Sequence, residues 1–192
     1  LSAAEYAALD QFGREHPGEG NLADLAEFLK ATFSVELVLD PDIVKGFAVD
    51  SSNLPGQAGG VCRPRTEREC AVMLRACQAM GVPCTVSAGK SNLTGSATPP
   101  GGIILSTVLM TAPAVTVDEA TQTVRAPVGI ILEDLRNQVL EQTGKRLIFP
   151  VNPTSRADAA VGGAISCNAS GFTPGESGAM RPWVESIDFL LP

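Results

Sequence analysis

Apolar residues fall at helical spacing in two stretches near the start of the chain. Ser2 and Glu5 form a capping box ahead of the first, and Gly13 is placed to stop that helix. His16-Pro17-Gly18 reads as a loop, with His16 exposed in it. Asn21 then caps a second helix, which carries Leu22, Leu25, Ala26, Leu29 and Phe33 on one face. The rest of the first fifty residues reads as irregular, and the Gly- and Pro-rich Asn53 to Gly60 reads as a boundary loop.

From Val61 the pattern alternates between strand and helix. Thr66 and Glu69 make another capping box, the helix runs through Val72, Met73, Ala76 and Met80, and Gly81 ends it. Val82 to Ser87 is a short strand and Ile103 to Ser106 a buried one. Ala114–Val117 and Val124–Ala126 pair as a hairpin through Asp118-Glu119-Ala120. Ile131, Leu132, Leu135, Val139 and Leu140 mark a helix that Gly144 ends, with Glu133 and Asp134 on its solvated side. Arg146 to Phe149 reads as a strand, and so does Ile187 to Leu191. A domain seldom stops inside a strand, so the sequence reads as part of a longer protein.

Composition narrows the class. The 192 residues are 44% apolar and 18% charged, which suits a packed globular chain. Nineteen glycines and fourteen prolines imply many turns and close backbone approaches. The net charge of −7, with no run of Lys or Arg, argues against a nucleic-acid partner. Cys62, Cys70, Cys77, Cys84 and Cys167 contain no C-x-x-C pair and read as packed thiols of a reducing cytoplasm, not as a zinc site. The charge-poor stretch from Ser91 to Val117 is broken by Pro99, Pro100, Gly101 and Gly102, so it does not read as a membrane span.

Two loops carry candidate chemistry. The first contains Ser87, Ala88, Gly89, Lys90, Ser91, Asn92, Gly95 and Ser96. Small residues let backbone N–H groups gather round an anion, and Ser, Thr and Asn add neutral donors, as a pyrophosphate requires. The spacing matches neither common phosphate-loop pattern, and a plain surface loop fits the same residues. The second loop runs from Val151 to Gly171 and, with Pro150 before it, supplies Thr154, Ala160, Gly162, Gly163, Ser166, Asn168 and Gly171. Nearly all its side chains are small, so a flat ligand or another backbone segment should fill the space. The loops lie about 60 residues apart, and both can serve one elongated ligand with a phosphate part and a flat part. No Cys–His pair, Ser–His–Asp set or paired carboxylates can be placed in a pocket.

The order of segments resembles the FAD-binding domain of the vanillyl-alcohol-oxidase superfamily. There R-G-G-G-T-S-L-T-G-G-A wraps the pyrophosphate, and this chain has S-A-G-K-S-N-L-T-G-S-A. The family continues with V-x-P-G, a helix, P-x-x-P-S, A-T-I-G-G and N-A-S-G. This chain has V-R-A-P-V-G, a helix, P-V-N-P-T-S, A-A-V-G-G and N-A-S-G in the same order. G-A-M-R-P-W-V resembles the later Y-G-x-x-R-D-x-V. Phe47 to Ser52, F-A-V-D-S-S, is similar to Y-x-x-D-x-S of D-lactate, glycolate and 2-hydroxyglutarate dehydrogenases.

The resemblance implies an α+β, two-subdomain PCMH-type FAD-binding fold with its second subdomain truncated. Residues 1–56 would be a helical extension and 57–192 the FAD-binding domain. It implies noncovalent FAD, because His16 lies outside every matched motif and Cys167 reads as packing. It implies a parent enzyme that oxidises a 2-hydroxy acid by hydride transfer to flavin N5. Substrate groups would come from a later domain, and the acceptor would be a quinone, a cytochrome or another flavoprotein. The parent would be cytoplasmic or peripheral at a membrane, and the fragment alone inactive.

Two other readings remain. The S-N-L of the first loop also resembles UDP-N-acetylenolpyruvoylglucosamine reductase. A non-catalytic interaction domain that has lost FAD is the other, because Lys90 stands where the family has Gly and its β-carbon should force the loop to differ. Lys90 is also placed to bring its ammonium to the pyrophosphate. Arg181 would structure its own loop or reach toward the cofactor.

Overall fold

The computed structural model describes residues 1–173 and 175–191. The chain forms two compact units. One holds Leu1–Ser87 and Asn92–Leu109 with the last residues of the chain, and the other holds Ala88–Ser91 and Met110–Phe189.

In the first unit, helix α1 (Ala3–Glu15) starts at Ser2, whose hydroxyl accepts the Glu5 N–H at 3.3 Å while the Ser2 N–H donates to the Glu5 carboxylate at 2.7 Å. Gly13 does not stop it. The helix continues to Glu15 because Gly13 is a contact surface: a β-carbon there would lie 2.5 Å from the carbonyl carbon of Ala79 on α4 (Glu67–Met80). His16, expected to be exposed, is half-buried and stacks on Phe12 at 4.3 Å. Helix α2 (Leu22–Phe33) buries Leu22, Leu25, Leu29 and Phe33, as the spacing predicts. Asn21 sits at its cap position but caps nothing, since its amide donates to the Pro17 carbonyl at 2.8 Å.

The segment expected to be irregular holds two more elements. Strand β1 (Leu37–Val38) is too short to show a period. Helix α3 (Pro41–Phe47) is set by Asp40, whose carboxylate accepts the N–H groups of Asp42 and Ile43, and by Pro41 at the first turn. Strands β2 (Gly60–Cys62), β3 (Cys84–Ser87) and β4 (Ile103–Ser106) complete a sheet of order β1-β2-β4-β3. β4 is parallel to both β2 and β3, while β1 runs antiparallel to β2. Ile103, Ile104 and Leu105 are buried in succession, as in a parallel strand covered on both faces. Helix α4 begins where the Thr66 hydroxyl accepts the Glu69 N–H, although Glu69 reaches the Arg65 N–H and leaves the box half made. It ends at Gly81 with φ +68°. β2 and β3 enter and leave this helix, so β3 ends at Ser87 where the first candidate loop begins.

In the second unit, β5 (Thr116–Asp118) and β6 (Thr123–Arg125) form the expected hairpin. Helix α5 (Leu132–Gln142) buries Leu132, Leu135 and Val139 against Val115, Ile130, Val151, Val161 and Met180. Glu133 is not simply solvated, because it pairs with Arg156. Arg146 to Phe149 is not a strand. Arg136 of α5 holds the end of that segment by donating to the carbonyls of Phe149 at 2.7 Å and Val151 at 3.4 Å, which replaces a ladder. A short helix, α6 (Val161–Ser166), forms inside the small-residue run. The described residues from 187 to 191 form no strand, since no partner strand lies beside them to take their hydrogen bonds.

Candidate functional site

The first loop leaves β3 and belongs to both units: Ala88–Ser91 to the second and Asn92 onward to the first. Asn92 to Ser96 carry the clearest donor set. Among the described residues, the backbone N–H groups of these five meet no acceptor within the chain. The Gly95 carbonyl accepts the Thr98 N–H at 3.0 Å and closes a turn, with Gly95 at φ +75°. Leu93 stands 77% exposed at the crest.

A residue outside the predicted set anchors this turn. Asp50 is 7% exposed, and every lone-pair direction of its carboxylate is used. Oδ1 accepts the Ser52 N–H at 2.9 Å and the Ser52 hydroxyl. Oδ2 accepts the Asn92 side-chain amide at 2.8 Å and the Ala97 N–H at 3.2 Å. Burial pushes the Asp50 carboxyl up, but the hydrogen bonds from Ser52, Asn92 and Ala97 outweigh it and hold the group at about 2. Asp50 was legible only as a letter of F-A-V-D-S-S. Its partners lie 42 and 47 residues away, and no local pattern announces them.

Ser87, at the end of β3, pairs in register with Ser106 of β4. Both are buried, and neither hydroxyl has a partner among the described residues. Thr107 donates to the Ser87 carbonyl at 3.3 Å.

Within the second unit, Ala88 and Gly89 meet the second loop. A β-carbon on Gly89 would lie 1.8 Å from the Asp158 carbonyl oxygen and 3.2 Å from the Ala160 nitrogen. Glycine is required there by the protein's own backbone. Gly162 packs likewise on Val128 and Gly171 on Asn152, whereas Gly163 has room, its nearest neighbour being the Ala88 β-carbon at 3.8 Å. Ala160 pairs with Ile131 and begins α6. The Ser166 hydroxyl donates to the Gly162 carbonyl at 2.9 Å, and Asn168 accepts the Arg181 N–H at 2.9 Å. That last bond ties the Arg181 backbone to the second loop. Thr154 is exposed and Pro150 half-buried.

Lys90 corrects one expectation. Its β-carbon does not exclude the glycine-like backbone, because Lys90 adopts φ +56° in the left-handed region.

The donor set fits FAD. Its pyrophosphate offers only acceptors, and the turn offers N–H groups, hydroxyls of Thr94 and Ser96, and a saturated carboxylate turned to its own partners.

Comparison with known proteins agrees. A family model described as "FAD binding domain" matches residues 58–192. The chain is 26% identical over 166 residues to the mitochondrial D-2-hydroxyglutarate dehydrogenase of Danio rerio, covering 85% of this chain and 30% of that one. It is 25% identical over 171 residues to the D-lactate dehydrogenase of Anaerostipes hadrus, covering 88% and 35%. Thus the chain spans about a third of the length of these relatives. Among solved structures it is similar in fold to an alkyldihydroxyacetonephosphate synthase, with a TM-score of 0.70 at 18% identity over 87% of this chain and 32% of the other. The 6-hydroxy-D-nicotine oxidase of Arthrobacter nicotinovorans gives 0.60 at 21% identity, covering 77% and 32%. The family match extends over more than half of the sequence, so the chain belongs to the FAD binding domain family, and its cofactor is FAD.

Proposed function

We propose that the chain is the FAD-binding part of a dehydrogenase acting on a 2-hydroxy acid. Residues 57–192 serve as the FAD-binding domain and 1–56 as a helical extension. The observation that carries this reading is the run of five backbone N–H groups, Asn92 to Ser96, with no acceptor among the described residues. In a chain of net charge −7 without a basic run, neutral donors are the means at hand for a diphosphate. The hydroxy-acid substrate rests on the relatives that oxidise 2-hydroxyglutarate and lactate.

We assign pyrophosphate binding to the first loop, through Asn92, Gly95 and Ser96, with Lys90 adding a point charge. Gly163, Ser166 and Asn168 of the second loop serve the rest of the cofactor. When bound, FAD supplies the redox chemistry, accepting a hydride at flavin N5. This chain's residues bind and orient it, and no residue here is assigned a proton transfer. Noncovalent attachment fits a His16 stacked on Phe12 within the helical extension.

Titrating the purified chain with FAD tests the reading. Saturable quenching or shifting of flavin fluorescence at one FAD per chain is expected. Unchanged flavin emission at protein concentrations of hundreds of micromolar, on the order of the weakest useful cofactor affinity, would count against it.

A further inference from the structure

We infer that Asp50 is a positioning residue for the pyrophosphate loop, pinching it so that its N–H groups stay available for FAD. The inference rests on the FAD reading of that loop and adds a residue to it. One oxygen, Oδ2, takes both the Asn92 side chain and the Ala97 N–H. The two ends of the turn are thereby drawn to one point, and Leu93 to Ser96 must loop out between them. Those four N–H groups are among the five that find no acceptor among the described residues. The other oxygen fixes the carboxylate itself, through the Ser52 N–H and hydroxyl, and the Ser52 hydroxyl in turn accepts the Leu54 N–H at 3.2 Å. Leu54 closes the arrangement from outside, because its Cδ1 lies only 2.5 Å from where a β-carbon on Gly95 would stand.

A carboxylate beside an anion-binding turn is unfavourable for the anion by charge alone. Its presence is explained by geometry: only an acceptor on all sides satisfies the four donors that converge on it. Asparagine keeps the shape but turns an NH2 group toward donors. Glutamate keeps the charge but lengthens the reach by one methylene. Holding the turn in its ligand-ready form lowers the ordering cost at binding, which is how a residue that does not touch the ligand raises affinity.

The test compares FAD with riboflavin, which carries the ring system without phosphates. Dissociation constants are measured by flavin fluorescence for the wild-type chain, Asp50→Asn, Asp50→Glu, Asn92→Ala and the Asp50→Asn/Asn92→Ala double variant, with thermal melting of each. Asp50→Asn is expected to weaken FAD by about tenfold or more, as loss of a charge-assisted network does. Riboflavin binding should move by less than about twofold. Asp50→Glu should not rescue, and the double variant should bind FAD no more weakly than Asp50→Asn, because both changes cut one network. Equal losses for FAD and riboflavin, unchanged FAD affinity in Asp50→Asn, or full additivity in the double variant would each overturn the proposal. If Asp50→Asn does not fold, Asn92→Ala decides alone, through the same preferential loss of FAD. A wild-type chain that binds no FAD overturns the flavin reading and this proposal together, and is seen before any variant is compared.

Discussion

Asp50 and Lys90 show how charge is handled in the first loop. Asp50 is buried yet ionised, because four donors supply what water would otherwise give. Its folded pKa, about 2, lies below the ordinary 3.8, so protonation is linked to unfolding. The stability that its ionised form adds is complete above about pH 4 and drains away as pH falls toward about 2. Acid titration of wild type against Asp50→Asn should therefore show a stability gap that is constant at neutral pH and closes between those two values. A gap that persists unchanged to pH 2 would mean that the carboxylate is not held as described. Lys90 stands in the left-handed region, which costs a residue with a β-carbon about 1–2 kcal/mol. Lys90→Gly should melt no lower than wild type and bind FAD more weakly, with the deficit shrinking as salt rises, since a point charge on a phosphate is screened. Equal affinity of the two proteins at every salt concentration would remove the Lys90 contact.

At the scale of elements, packing overrides local signals where the two conflict. Gly13 reads locally as a helix stop, and helix propensity alone favours alanine there by about 1 kcal/mol. The structure places its missing β-carbon against Ala79, 2.5 Å from backbone atoms of α4. Gly13→Ala should thus destabilise the chain by about 1–3 kcal/mol, as overpacking does. A chemical denaturation curve showing a gain would reverse this account of the α1–α4 contact. The same contrast explains what the sequence discloses. Helices α1, α2, α4 and α5 were legible from periodicity and from Ser2, Thr66, Gly81 and Gly144 at their ends, all local features. Strand β1 and helices α3 and α6 are too short for a period to emerge. Arg146–Phe149 and Ile187–Leu191 have strand-like composition but no neighbouring strand among the described residues, and a strand exists only through its ladder. The two candidate loops stand out in the sequence as runs of small residues. The carboxylate that shapes the first was not, because its bonds span more than forty residues.

For the whole molecule, the family match and the donor set agree on FAD, and the family read from the sequence is the one matched. Each unit carries part of the matched sequence: the turn from Asn92 in the first, Ala88–Ser91 packed on Asp158–Ala160 in the second. The central claim is that the turn from Asn92 to Ser96 is the phosphate contact. Following the backbone amide resonances of the 19.9 kDa chain during FAD titration tests it most directly. The account predicts saturable downfield shifts at Leu93, Thr94, Gly95 and Ser96, reproduced by ADP and absent with riboflavin. Saturable FAD binding that leaves those four resonances in place would contradict it.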